Sequence, residues 1–153
     1  MVEHRYLVIM KEAPEARVAL RFAARRAAKT DRSVEVLAII EPQNFAAFGG
    51  VQAAMEEEER LRMEATIAST VGELIEETGI KPHITIRSGD SIKIIGKEIS
   101  ERNDIAALVL GAAPGENPGP IVKYFTGEGA GNLPCPVLII PGVLDDERIE
   151  LLS

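Results

Sequence analysis

Glycines fall at positions 111, 115 and 119, three residues between each, directly after the apolar run from Ile105 to Leu110, and another stands at 129. An apolar strand that ends in glycines ahead of a short helix can turn backbone N–H groups and a dipole end toward an anion. Gly111, Gly115, Gly119 and Gly129 are therefore the candidate loop for a phosphate or another small anion. Lys11, at the end of the run Tyr6 to Met10, is the candidate point charge for the same ligand. Its plainer alternative is an exposed lysine paired with Glu12 or Glu41. Lys123 and Thr126 follow the loop and are either further contacts or ordinary exposed helix residues. Pro118 and Pro120 flank Gly119, and each removes a backbone donor that a phosphate cradle would use.

Nothing else in the chain assembles into a catalytic set. Cys135, the only cysteine, lies between Pro134 and Pro136, where a lone thiol behaves as a small buried hydrophobe. No pattern links His4 or His83 to it as a base. One cysteine and two isolated histidines make no metal-ligand spacing, and consecutive carboxylates such as Glu56 to Glu59 cannot converge on one ion. No catalytic residue and no metal are expected.

Several elements must position the glycine loop. Tyr6 to Met10 reads as a strand buried on both faces. Ala16, Leu20, Ala23, Ala24 and Ala27 then recur at helical spacing over 13–29, with Arg17, Arg21, Arg25 and Lys29 on a solvated opposite face. Ser33 to Ile40 is a second strand, closed by Glu41-Pro42. The segment 41–51 reads as a flexible connection or a lid. A long helix from about Gln52 to Thr78 follows, with Met63, Ile67, Val71, Leu74 and Ile75 as its apolar stripe and Gly79 as its stop. Pro82 to Arg87 is a strand near a sheet edge, and Asp90 or Ser91 caps a helix running to about Arg102. Ile105 to Leu110 and Val137 to Ile140 are the last two strands. Asp145 to Leu152 is a short terminal helix.

Strands alternating with crossovers of this length predict an α/β fold, a five-stranded parallel doubly wound sheet, Rossmann-like, with a short C-terminal helix. Ligands in such sheets sit at the carboxyl ends of the strands where the winding reverses, which brings Lys11 near the loop 111–119. The 153 residues are expected to form a single domain, with a core of about 4–141 and an extension over 142–153. A net charge of −7 repels a phosphate backbone, so nucleic acid is excluded as a main partner. No apolar run approaches the roughly 18 residues that span a bilayer, and the start MVEHRYLVIM lacks the zones of a signal peptide. A cytoplasmic address and no membrane partner are expected.

The chain resembles a universal stress protein domain. The segments that carry the likeness are, in order, VIMKEAPEARVALRFAARRA, VLAIIEP, IRSGD, LVLGA and LPCPVLIIP, which together cover nearly the whole length. The resemblance implies a five-stranded domain that dimerises through its fifth strand, here about Val137–Ile140, and that serves in stress response or regulation. It also implies, for one branch, ATP binding through glycine, two residues, glycine, nine residues, glycine, then Ser or Thr, with an Asp at the end of the first strand. Here Lys11 occupies the Asp position, and Lys cannot accept a ribose hydroxyl. The loop glycines are spaced too widely, and Gly129 is followed by Ala130 in place of a hydroxyl residue. The expected function is a regulatory binding module with no cofactor and no enzymatic activity, open to a small anionic ligand. The alternative is a switch that binds ATP with Mg. The terminal extension is expected either to cover the outer edge of the fifth strand or to reach over a partner subunit.

Overall fold

The computed structural model describes residues 3–42 and 49–153, without the side chains of 49, 50 and 52. In chain order the elements are β1 (Arg5–Met10), α1 (Pro14–Thr30), β2 (Ser33–Ile40), α2 (Gly49–Thr78), β3 (His83–Ser88), α3 (Ser91–Ser100), β4 (Ile105–Ala112), α4 (Pro120–Thr126), a 3-10 turn at Ala130–Asn132, β5 (Val137–Pro141) and α5 (Asp146–Leu152). The strands form one sheet in the order β3-β2-β1-β4-β5 with every pairing parallel. The winding therefore reverses between β1 and β4, as the doubly wound reading requires. Among the described residues no helix is long and apolar enough to cross a membrane.

Past Arg5, Ser33 and Glu35 at their amino ends, the central strands are apolar because both of their faces are covered. Tyr6, Val8 and Met10 point to one side, with Val36, Ala38 and Val109, and meet α1 and α2. Leu7 and Ile9 point to the other, with Leu37, Ile39, Leu108 and Leu110, and meet α3 and α4. The buried face of α1 is mostly alanine, so this helix lies close on the sheet. Pro14 suits its first turn, where the missing N–H has no partner to lose. Asp31 ends it in the left-handed conformation, its N–H bonded to the carbonyl of Ala27. Asp90 and Asp145 cap α3 and α5 through the N–H groups of Lys93 and Arg148.

Three expectations are corrected. The arginine row of α1 is a seam and not a solvated face: Arg21 and Arg25 bond Glu77 of α2 at 2.7 and 3.4 Å, and Arg21 also lies 3.3 Å from Asp146. The terminal helix leaves the edge of β5 alone and docks on α1, where Ile149 is buried and Lys29 donates to the Glu150 carbonyl at 2.8 Å. Ile75 does not belong to the apolar stripe of α2; it is 40% exposed, and Thr70 is buried at that seam instead. The long helix begins at Gly49, three residues ahead of Gln52, and the part of the proposed connection over 43–48 lies outside the described residues.

Among the described residues nothing pairs with the outer edges of β3 and β5. On the β5 side Leu108 N donates to Pro136 O, and the register pairs Leu108 with Val137. In a parallel ladder this turns the main-chain groups of 138 and 140 toward β4 and those of 137, 139 and 141 outward. Pro141 thus places a residue without a donor on the open side.

At the amino ends of the strands, Arg102 gathers three carboxylates. Its guanidinium meets Asp104 with two hydrogen bonds of 2.8 and 2.9 Å, Glu98 at 2.9 Å, and the buried Glu35 of β2. The Asp104 bond is the main reason the Arg102 charge is held above its ordinary range, and it holds Asp104 below its own. Asp104 also accepts the Arg5 amide through its carbonyl at 2.8 Å, which ties β1 to the start of β4. Removing Arg102 leaves Glu35 buried with only the distant Arg5 at 4.0 Å. Arg102→Met should therefore destabilise the fold by about 3 kcal/mol in urea unfolding, while Glu98→Gln should cost far less. Because the folded pKa of Asp104 is lowered, its contribution is complete above the ordinary aspartate value of 3.8 and is lost as pH falls through the lower folded value. Asp104→Asn should lower stability at neutral pH and flatten that acid limb, read by thermal unfolding across pH.

Candidate functional site

β1 delivers Lys11 to the carboxyl edge of the sheet, and a tight turn in which Ala13 N bonds Lys11 O at 2.8 Å sends the chain straight into α1. The neighbouring β4 ends at Ala112 beneath the first turn of that helix. Gly111 is what permits this approach: a Cβ at that position would stand 2.2 Å from the Glu15 carbonyl oxygen. Gly142, just past β5, is under the same constraint, since a Cβ there would come within 2.8 Å of both Ala112 O and Glu15 Cβ. The first loop glycine is thus a packing glycine, set by backbone against backbone.

Between β1, β4 and the start of α4 lies a cavity of about 90 Å³. Its walls are Ile9, Leu110, Ile121 and Val122, its lid is Pro118-Gly119-Pro120, and Lys11 and Gly111 complete the lining with the first residues of α1. The structure therefore brings Lys11, Gly111 and Gly119 together. Gly115 is in the same loop, with a positive φ of 95° and open space around it, but does not line the cavity. Gly129 is elsewhere, pressed against the ring of Tyr124. Thr126 spends its hydroxyl on the Val122 carbonyl at 2.7 Å.

The loop uses up donors that a phosphate would need. Ala113 N bonds Pro118 O at 3.2 Å, and Gly119 N bonds the Asn117 side-chain oxygen at 3.1 Å. Pro114, Pro118 and Pro120 have no N–H to offer. The Asn117 turn was legible in principle, since Asn two residues ahead of a glycine favours bonding its own backbone. Gly142 had no such signal, because only the tertiary approach of Glu15 explains it.

Lys11 also borders two larger clefts, of about 460 Å³ toward Arg17, Thr70 and Asp146 and of about 370 Å³ toward Ile40, Glu41 and Glu59. Glu12 and Glu41 do not pair with it. Glu12 lies 3.8 Å from Arg62, and Glu41 accepts from the hydroxyl of Ser91. Cys135 sits apart, half-buried at the start of β5, where burial pushes its thiol up. Among the described residues no group of three or more His, Cys, Asp or Glu side chains is placed to hold a metal ion.

The model of the universal stress protein family matches residues 4–141. Solved structures with the same fold include universal stress protein UspA from Lactobacillus plantarum, at a TM-score of 0.75 and 17% identity over 92% of this chain and 99% of that one. A universal stress protein from Archaeoglobus fulgidus in complex with dAMP follows the chain at 0.57 and 20% identity, over 92% and 99%. One from Burkholderia pseudomallei does so at 0.70 and 14%, over 90% and 95%. No curated protein matches by sequence.

The glycines divide by cause, and substitution should separate them. Gly111→Ala forces backbone apart and should cost about 3 kcal/mol or more in thermal unfolding. Gly115→Ala meets nothing and should lose only the roughly 1 kcal/mol of a strained positive φ.

Proposed function

The chain belongs to the universal stress protein family, and on that premise we propose that it is a regulatory, stress-response binding module that does not hold ATP in the manner of the family's nucleotide-binding branch. The observation that carries this reading is the accounting of backbone donors after β4. A phosphate cradle needs several free N–H groups converging on one point. Here two are bonded within the loop and three positions are proline. Size and charge support the same reading. The cavity of about 90 Å³ is far below the roughly 300 Å³ at which pockets for drug-sized ligands begin. The 370 Å³ cleft beside it carries Glu12, Glu41 and Glu59 against the single charge of Lys11, which opposes a polyanion. No nucleophile is paired with a base among the described residues of this site, so binding is the proposed role and not catalysis. A small anionic ligand remains compatible with Lys11.

Self-association is the second part of the proposal. β5 is an outer strand with Val137, Leu138 and Ile139 half-buried, and the free donors of 137 and 139 face outward. An edge of that composition is suited to pairing with a second copy, giving a homodimer through Val137–Ile140.

Thermal shift with ATP and Mg tests the first part. A ligand at a hundred times its dissociation constant would raise the melting temperature of a chain this size by about 5 °C or more. We expect no rise at millimolar ATP; a saturable rise of that size overturns the reading in favour of a nucleotide switch. For the second part, light scattering is expected to give twice the chain mass for the unaltered protein and the single mass for Ile139→Pro, which deletes an outward donor and leaves the β4 ladder intact. A single mass for both would refute assembly through this edge.

A further inference from the structure

Resting on the reading that nucleotide is not held in this loop, we infer that the cavity between β1, β4 and α4 is a binding site for a small monocarboxylate with a short apolar tail. The walls decide the tail. Ile9, Leu110, Ile121 and Val122 are each at most 7% exposed in total, and they enclose hydrocarbon surface. A dry apolar cavity of roughly 150 Å³ accepts benzene. One of about 90 Å³ therefore accepts roughly three or four carbons.

The rim decides the head group. Lys11 is the only cation among the lining residues, and among the described residues its ammonium has no hydrogen-bond or ion-pair partner. One ammonium matches a ligand of one negative charge, and Glu15, which also belongs to the lining, weighs against a second. Of the neighbouring main-chain donors, those of Ala113 and Gly119 are already bonded and Pro118 and Pro120 have none, a shortage that weighs more against the three oxygens of a phosphate dianion than against a carboxylate. A carboxylate needs fewer donors, and its open side faces water at the mouth. Glu15 presents its main chain to Gly111 and so helps form the wall close to the backbone. The chemistry recognised is an aliphatic chain end plus one carboxylate, as in propanoate or butanoate.

Methyl-resolved NMR of the full chain tests this with acetate, propanoate, butanoate and hexanoate, beside butan-1-ol and ATP with Mg. The expected result is a saturable shift of the Ile9, Ile121 and Val122 methyl signals. Affinity should rise about fourfold per added methylene and stop rising once the tail fills the cavity. Butan-1-ol, and butanoate against Lys11→Met, should each bind about tenfold more weakly than butanoate to the unaltered protein. Lys11 is half-buried at the rim, and the dispersion of the remaining signals reports that the variant is folded. The inference is overturned if butanoate gives no saturable shift, if the alcohol binds as well as the acid, or if Lys11→Met leaves the affinity unchanged. Silence from ATP alongside any of these would sink this inference alone. ATP shifting the same methyl signals would sink the reading on which it rests.

Discussion

The carboxyl end of the sheet is governed by a steric contact: the Glu15 carbonyl, in the first turn of α1, occupies the space where a side chain at 111 would begin. Close packing of this kind leaves no slack for adjustment. The alanine face of α1 makes it possible, since Ala16, Ala19, Ala23 and Ala27 let the helix axis approach the strands. Once the helix is there, β4 must pass beneath it without a side chain, and β5 must do the same at Gly142. The room left over is the small cavity behind Lys11. The size of the site follows from the helix.

The two ends of the sheet treat charge differently. At the amino ends, Arg102 is surrounded by Glu35, Glu98 and Asp104 in a network of charged hydrogen bonds that fixes α3 to the central strands. Burying such a network is justified only when its members are satisfied, because any one left alone carries its full desolvation penalty. At the carboxyl ends Lys11 has no partner among the described residues, and Glu12 and Glu41 are engaged by Arg62 and Ser91. Structure is secured at one end, and the other keeps one charge in reserve.

Much of the fold was legible because periodicity reports burial. The continuous apolar runs at 6–10, 37–40 and 105–110 marked central strands, and the stripes of α1 and α3 faced the right way. The arginines of α1 were misread because a charged row four residues apart looks the same on a solvated face as on a helix–helix seam. The acids that answer it, Glu77 and Asp146, lie 56 and 125 positions away from Arg21 in the chain. The site was half legible. Lys11 and the loop were brought together by topology alone, whereas the separate duties of Gly111, Gly115 and Gly129 depend on neighbours remote in sequence.

Pro141 sits on the outward side of β5 and has no hydrogen to give. The strip of main chain open to another strand is consequently two amides long, at Val137 and Ile139, and ends abruptly. A second strand laid along this side in a register that sets one of its carbonyls opposite the Pro141 nitrogen would leave that carbonyl without a bond. If a second copy pairs here as proposed, the ladder between them would be short.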